Sequence, residues 1–259
     1  MIADTEFGQS GATGSQVGPK VFPVPIQAID LDAANKRAFP SMGFAFAGNV
    51  LSGQFTHSVA STCLQNLVGA TTKADVQVGE VAHVYAKAAE QIVLERWRQA
   101  KLSGYGFEGV VFGRPASGAT AAFRLNVGVD DGTASVFVEE LDFTKTSVHA
   151  IGSGASSARA YIDSARSAGK PFRPIEIMDS VIGDPSVPSV AGTVQLAVTT
   201  KTGVELRPII RHRGDRAGEF TLSGVNVLTL GMAGAYVPIG TPISVDLPFE
   251  DVLDFEVRD

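Results

Sequence analysis

The side chains of this sequence that could carry out chemistry are few and widely spaced. The four histidines share no metal-binding spacing, so each is assigned a structural role; they are His57, His83, His149 and His212. The single cysteine, Cys63, excludes an internal disulfide. It falls within an apolar helical stripe, which indicates a small buried side chain rather than a nucleophile.

Three further features are compatible with catalysis only in a wider context. Lys20 follows Gly18 and Pro19 at the start of a strand, and Asp4 ends the extended run "MIA". Taken singly, both are ordinary strand-end residues. The turn Gly152-Ser153-Gly154 precedes a helix, as a phosphate-binding loop does, but it lacks the Lys-Ser/Thr ending of a P-loop. Nucleotide binding is therefore not expected.

Composition and charge limit the possible partners. The 259 residues are 44% hydrophobic, enough for one large domain or two small ones. The net charge of -6 and the lack of clustered Lys and Arg exclude a nucleic-acid binder. The one basic segment, "RPIIRHRGDR" at 207–216, is typical of a solvated strand end or loop. No secretory signal and no apolar run of about 20 residues is present, which predicts a soluble, cytoplasmic protein without membrane contact.

The elements that must position these residues follow from hydrophobic periodicity. Strands are expected at 20–30 and through "AFPSMGFAFAGN", followed by two helices, three meandering strands, two more helices and a hairpin at 191–210. The helices are placed at 54–69, 78–102, after a short strand within 148–169, and at 171–182. In the first helix the expected buried face consists of Phe55, Val59, Thr62, Cys63, Asn66 and Leu67. The order β, β, α, α, β, β, β, α, α, β, β predicts an α+β fold, most simply a four-layer αββα sandwich.

Four segments, in this order, resemble the proteasome-like branch of the N-terminal-nucleophile hydrolases, which includes proteasome β-subunits and the bacterial two-ring protease subunit. They are "IADTEFGQSGATGSQVGPKVFPV", "GFAFAGNVLSGQFTHSVASTCLQNL", "HAIGSGASSARAYI" and "VPSVAGTVQLAVTTKTGVEL". The resemblance implies an N-terminal-nucleophile (Ntn) type domain over residues 1–218 and a β-rich extension over 219–259. It also implies a self-associating subunit, in a ring where the family pattern holds, that needs no metal or organic cofactor.

The resemblance implies supporting catalytic roles for six residues. In that family the first residue of the mature chain, usually threonine, attacks the substrate carbonyl, and its own amine takes the proton. Lys20 matches the lysine that favours the deprotonated nucleophile, and Asp4 matches the carboxylate that holds it. Gly48 matches the loop that supplies an oxyanion N–H, and Ser153 matches the serine of the Gly-Ser-Gly turn. The remaining Asp and Ser match Asp179 and Ser189, with Asp184 and Ser186 as alternatives within "VIGDPSVPS".

The nucleophile of this mechanism is expected about a dozen residues before Asp4, upstream of this sequence. Ile2, exposed by removal of Met1, has no nucleophilic atom. The resemblance therefore leaves two functions open. One is a threonine-type peptidase or amidohydrolase subunit acting on peptides or proteins, inactive without that upstream nucleophile. The other is a non-catalytic subunit that builds or caps a ring.

Overall fold

The computed structural model describes residues 1–4, 6–7, 16–31, 35–69, 74–100, 104–211, 217–230 and 244–246. The chain divides into two compact units. The central unit consists of residues 21–153 and 197–205, and the terminal unit of 1–20, 154–196 and 206–259. The boundary expected at 218/219 stays a prediction.

The described strands and helices largely follow the order that the hydrophobic periodicity predicts, but Leu67–Gly69, expected at the end of the first helix, form a strand. The first part of the chain forms β1 (Ile2–Asp4), β2 (Glu6–Phe7), β3 (Gln16–Val17), β4 (Val21–Asp30), β5 (Lys36–Gly48), α1 (Val50–Leu64), β6 (Leu67–Gly69), α2 (Val78–Ala100), β7 (Phe107–Gly113), β8 (Ala121–Asp130) and β9 (Thr133–Glu140). The second part forms α3 (Ala155–Ser167), α4 (Pro174–Ile182), β10 (Val194–Thr199), β11 (Val204–Arg207), β12 (Ile209–Arg211), β13 (Phe220–Leu222), β14 (Val225–Asn226), a 3-10 turn (Val227–Thr229) and β15 (Ser244–Asp246).

The chain is α+β with mixed sheets. A six-stranded sheet in the order β6-β4-β5-β7-β8-β9 lies in the central unit. Its pairs are antiparallel except for β4 with β6, which are parallel. The terminal unit contributes β1 to the sheet β1-β10-β11, and also contains the sheet β14-β13-β12-β15, in which β12 and β15 are parallel. The expected strand near residue 148 does not form, since residues 148–151 are irregular.

The core of the central unit is formed where α1 and α2 pack on the sheet. Phe44 and Tyr85 are fully buried, and their rings stack with centroids 4.4 Å apart. His57 lies beside them, stacked on Phe22 at 4.3 Å, and its Nδ1 is 2.8 Å from the Tyr85 hydroxyl. Burial lowers the pKa of His57 to about 4, so its ring is neutral at neutral pH. The structural role expected for this histidine fits that environment.

The expected orientation of α1 is wrong. The helix begins at Val50, where the Asn49 side chain accepts the Ser52 N–H at 3.0 Å, and it ends at Leu64. Its buried residues are Ser52, Gly53, Thr56, Ala60, Ser61 and Leu64, whereas Leu51 and Phe55 are each 49% exposed, Val59 is 40% exposed and Cys63 is exposed. The reason is steric: the ring of Phe46 lies so close to Gly53 that a Cβ there would approach it to 2.5 Å. Small residues must face this sheet, and the larger apolar ones are left outside.

The second helix, α2, has a buried inner face. Val81 and Tyr85 are fully buried and Ala88 is 6% exposed. Its outward positions carry charged residues of both signs, including Glu80 and Lys87. No helix of the described residues combines the length and the apolar character that crossing a bilayer requires.

Candidate active site

Asp4 and Lys20 form a buried ion pair in the terminal unit. The Lys20 Nζ donates to Asp4 Oδ1 at 2.8 Å and to Oδ2 at 2.7 Å, and each side chain is 10% exposed. The backbone N–H of Ala191 reaches Asp4 Oδ2 at 3.4 Å. The structure therefore brings together the two residues that the resemblance pairs, although their chemical role stays a prediction.

Gln195 fixes the backbone around this pair, and sequence reasoning missed it. Its Oε1 accepts the Lys20 backbone N–H at 3.1 Å, and its Nε2 donates to the carbonyl oxygens of Asp4 at 2.9 Å and Gly18 at 3.1 Å. This follows from the antiparallel pairing of β1 with β10, which sets Ala3 opposite Gln195. The signal in the sequence is a single amide side chain within the apolar run "VQLAV". In the structure this side chain is 2% exposed and fully hydrogen-bonded.

Two opposing effects act on the Asp4 carboxyl group. Burial raises the pKa of Asp4, and the charge and hydrogen bonds of Lys20, with the Ala191 N–H, oppose that rise. A lysine held in this way stabilises the deprotonated form of an amine or hydroxyl placed next to it. Such a group is what nucleophilic attack on a carbonyl requires.

The central unit brings two more of the expected residues into one neighbourhood. Gly48 ends β5 with a φ of 105°, opposite Phe107 at the start of β7. Glu108 follows Phe107 and accepts the Gly152 N–H at 2.6 Å, and its carboxylate also forms an ion pair with Arg124.

The Gly-Ser-Gly turn is held close to the end of β5. Gly152 has a φ of 78°, and a Cβ at that position would lie 2.7 Å from the Cβ of Ala47. Only glycine fits such a site without strain. Ser153, the next residue, is exposed. Gly48 and Ser153 thus flank a polar cluster built on Glu108, a residue that carries no functional signal in the sequence.

Asp179 is bound by an arginine of the same unit. It forms a bidentate ion pair with Arg211, with Oδ2 2.5 Å from Nη1 and Oδ1 2.6 Å from Nη2, and so ties α4 to β12. The Arg211 side chain is 8% exposed and that of Asp179 is 40% exposed. Ser189 is exposed, near the turn that carries Ala191.

The alternatives Asp184 and Ser186 bind each other. Asp184 Oδ1 accepts the N–H and the hydroxyl of Ser186 at 2.9 and 2.7 Å, and Oδ2 accepts the Ser157 hydroxyl at 2.7 Å. These bonds, led by the Ser186 hydroxyl, lower the pKa of Asp184. The arrangement links the turn after α4 to α3, a pattern typical of a structural turn.

The remaining candidates are the possible metal ligands and the basic segment. Among the described residues no set of three His, Cys, Asp or Glu side chains is grouped to hold a metal ion. Residues 212–216 of the basic segment, which include His212, lie outside the described residues.

Comparison with known proteins bears on the expected family. No family profile and no curated protein matches the sequence. Several solved structures are similar, among them the Anbu complex of Pseudomonas aeruginosa in its helical assembly (13% identity, TM-score 0.46, covering 87% of this chain and 81% of that one). Two others are Anbu from Hyphomicrobium sp. strain MC1 (14%, 0.44, 87% and 82%) and Anbu (ancestral beta-subunit) from Yersinia bercovieri (13%, 0.41, 86% and 77%). At this level of similarity no residue role passes from those proteins to this chain.

These comparisons correct the expected assignment. The similar structures are Anbu proteins, so the placement in the branch of proteasome β-subunits and two-ring protease subunits is wrong. The four matched segments encode strands, a glycine turn and helix starts. Such features are set by backbone geometry, which related branches of one fold share, and they cannot separate one branch from another.

Proposed function

We propose that this chain is a self-associating amide hydrolase subunit of the N-terminal-nucleophile type, acting on peptides or proteins. The observation that supports the proposal is the buried Asp4–Lys20 ion pair, whose backbone is fixed by Gln195. The four-layer αββα arrangement of helices and sheets belongs to the same proposal.

In the proposed reaction, a hydroxyl attacks the amide carbonyl and an amine takes the hydroxyl proton. The charge of Lys20 favours the deprotonated amine and the developing alkoxide, and Asp4 holds Lys20 in place. A backbone N–H beside Gly48 stabilises the oxyanion of the tetrahedral intermediate. The proton then passes from the amine to the leaving nitrogen, and water releases the acyl group by the reverse sequence.

Fewer contacts support catalytic roles for the other residues in the proposal. Ser153 is exposed and next to the glycine turn held by Glu108, so we keep it as a residue that orients the attacking group. Asp179 already binds Arg211, so an orienting role for it requires that ion pair to open. Ser189 stays in the proposal through its place near Ala191, whose N–H contacts Asp4.

A second candidate is a non-catalytic structural subunit. It is favoured by the completeness of the contacts around Asp4, whose two carboxylate oxygens both accept from Lys20. An ion pair of this kind can be retained for specifying one packing arrangement. This candidate predicts a stable, assembled protein that hydrolyses no amide.

Hydrolysis of fluorogenic peptides by the protein purified from its natural source tests the two candidates. A Lys20→Met variant should lose at least about 100-fold in kcat/KM, the usual cost of removing one group that stabilises charge in the transition state. Lys87→Met is the matched control, because its side chain is 79% exposed in a surface pair with Glu90. Equal activity of the Lys20 variant and the parent protein would end the hydrolase proposal.

A covalent probe identifies the attacking residue. A peptide β-lactone acylates an activated hydroxyl, and mass spectrometry of the digested protein locates the added mass. Labelling should disappear in the Lys20→Met variant and persist in Lys87→Met. A protein that neither cleaves peptides nor reacts with the lactone is the structural subunit of the second candidate.

A further inference from the structure

The outer face of α1 carries no charged residue, and its larger apolar side chains form one row beside the exposed Ser58 and Thr62. Leu51, Phe55 and Val59 recur every fourth residue along it and are 40–49% exposed, and Cys63 continues the row. The helix sequence, "VLSGQFTHSVASTCL", contains no Asp, Glu, Lys or Arg. We call this row, from Leu51 to Cys63, the α1 stripe.

The neighbouring helix shows that an exposed helix in this chain is normally charged. The outer positions of α2 include Glu80, Lys87, Glu95 and Arg98. Surface helices carry such residues on the side that faces water. The α1 helix has no charged residue at any position, and a contiguous row of exposed apolar side chains is a candidate interaction surface.

We propose that the α1 stripe is the centre of a two-fold interface with a second copy of this chain. The argument for an identical partner begins with charge. The chain has a net charge of -6, so two copies repel each other in most orientations. A surface without charged residues is one that can face its own copy without opposing like charges.

The order of side chains along the stripe also suits a two-fold axis. In an isologous interface, if residue i contacts residue j of the partner, then j contacts the partner's i. An axis through Phe55 brings two Phe55 rings together and sets Leu51 against the partner's Val59, because both lie four residues from the axis. Two antiparallel helices can pack in this way with i±4 ridges interleaved.

The size of the stripe fixes how far the interface must extend. A helix of 15 residues is about 22 Å long and about 10 Å wide, so α1 alone offers on the order of 200 Å². A stable interface needs about 800 Å² from each partner. The interface must therefore extend beyond the stripe onto the surface around it, which includes α2, the helix that packs against α1.

The inference rests on the self-association in the proposed function and is independent of the hydrolytic part. Sedimentation velocity of the full chain, over a series of concentrations, is the first test. Phe55→Glu places two carboxylates on the axis, and we expect it to raise the dissociation constant about 30-fold or more, as loss of a central anchor does. Phe137→Glu is the matched control, because Phe137 is 65% exposed on β9, and it should leave association unchanged.

Disulfide cross-linking tests the axis directly. In a Cys63→Ser background, which removes the only cysteine, Phe55→Cys should form a covalent dimer on mild oxidation and Phe137→Cys should not. Parent protein that sediments as a 27.0 kDa monomer at every concentration overturns the inference. So does unchanged association of the Phe55→Glu variant, or a Phe55→Cys variant that stays uncross-linked. If Lys20→Met abolishes hydrolysis while Phe55→Glu leaves association unchanged, the interface fails and the hydrolase stands.

Discussion

Replacing Lys20 by methionine should be among the most destabilising single changes in the terminal unit. The substitution removes the cation that compensates the Asp4 carboxylate, and both side chains are 10% exposed. Removing one member of a buried ion pair costs about 3–5 kcal/mol, because the other charge stays buried without compensation. Since a domain is stable by about 5–15 kcal/mol, the variant should fold but unfold at much lower urea concentration.

The loss should depend on pH in a defined direction. Burial raises the pKa of Asp4, and Lys20 opposes that rise, so the pKa should rise further in the variant. A carboxyl with a raised pKa binds more protons in the folded protein than in the unfolded chain. Stability therefore falls as pH rises through the folded-state pKa. Urea unfolding should show a larger penalty for Lys20→Met at about pH 8 than at about pH 5, where Asp4 is closer to neutral.

Two comparisons make this prediction specific. The double variant Asp4→Asn/Lys20→Met should recover most of the loss, because no uncompensated charge remains buried. Lys87→Met, in an exposed pair, should cost less than about 1 kcal/mol. A penalty for Lys20→Met below about 1 kcal/mol, or one equal at both pH values, would refute the account of a buried, uncompensated Asp4.

Two further predictions concern the central unit. The pKa of His57 is about 4 in the folded protein, against 6.5 for the free side chain. Between these pH values the unfolded chain binds a proton that the folded protein does not. The free energy of unfolding should therefore fall by up to about 3 kcal/mol as the pH decreases from 6.5 to 4. In thermal unfolding, the melting temperature of His57→Gln should depend less on pH in this range than that of the parent protein. The exposed variant His83→Gln should behave as the parent protein does, and the same pH dependence in the parent protein and both variants would contradict this prediction. Gly152→Ala should cost about 1–2 kcal/mol from its positive φ alone, and more from the approach to Ala47, as measured by urea unfolding. Unchanged stability would show that the turn can rearrange freely.

Most strands and helices could be predicted because their signals are local. The hairpin between β8 and β9 is an example: Asp131 and Gly132 have φ values of 43° and 77°, which the sequence Asp-Asp-Gly favours. The alternation in "MGFAF" likewise predicted the buried centre of β5, where Met42, Phe44 and Phe46 are at most 2% exposed. In both cases the side-chain pattern and the backbone geometry agree within a few residues.

The orientation of α1 could not be predicted from its own sequence. Periodicity identifies an apolar stripe but not what lies beneath each face of the helix. In this fold the sheet presents the Phe46 ring, and only small residues such as Gly53 can approach it. The larger apolar side chains of the helix were therefore predicted to lie in the core, whereas they are exposed.

The candidate site could be predicted only where a resemblance supplied long-range information. The resemblance matched Asp4 and Lys20 to a carboxylate–lysine pair, and their side chains are in contact. Nothing local to either residue indicates Gln195, which is more than 170 positions from Lys20 and is brought there by the pairing of β1 with β10. The ion pair of Asp179 with Arg211 has the same origin, since α4 and β12 are brought together by the fold. Contacts at such separation depend on strand register, which a single sequence does not determine.

A buried ion pair is a poor choice if stability is its only purpose, and this distinguishes the two proposed functions. Replacing both charges with apolar side chains of similar size is often neutral or stabilising by about 1–4 kcal/mol, because the desolvation of two ions is avoided. An Asp4→Leu/Lys20→Met variant that is as stable as the parent protein but unable to cleave peptides would show that the pair is kept for chemistry. For a structural subunit the same variant should be stable and still assemble, with no activity to lose. A variant that is folded and still hydrolyses peptides at the parental rate would remove Lys20 and Asp4 from the catalytic site, whatever the pair contributes to folding.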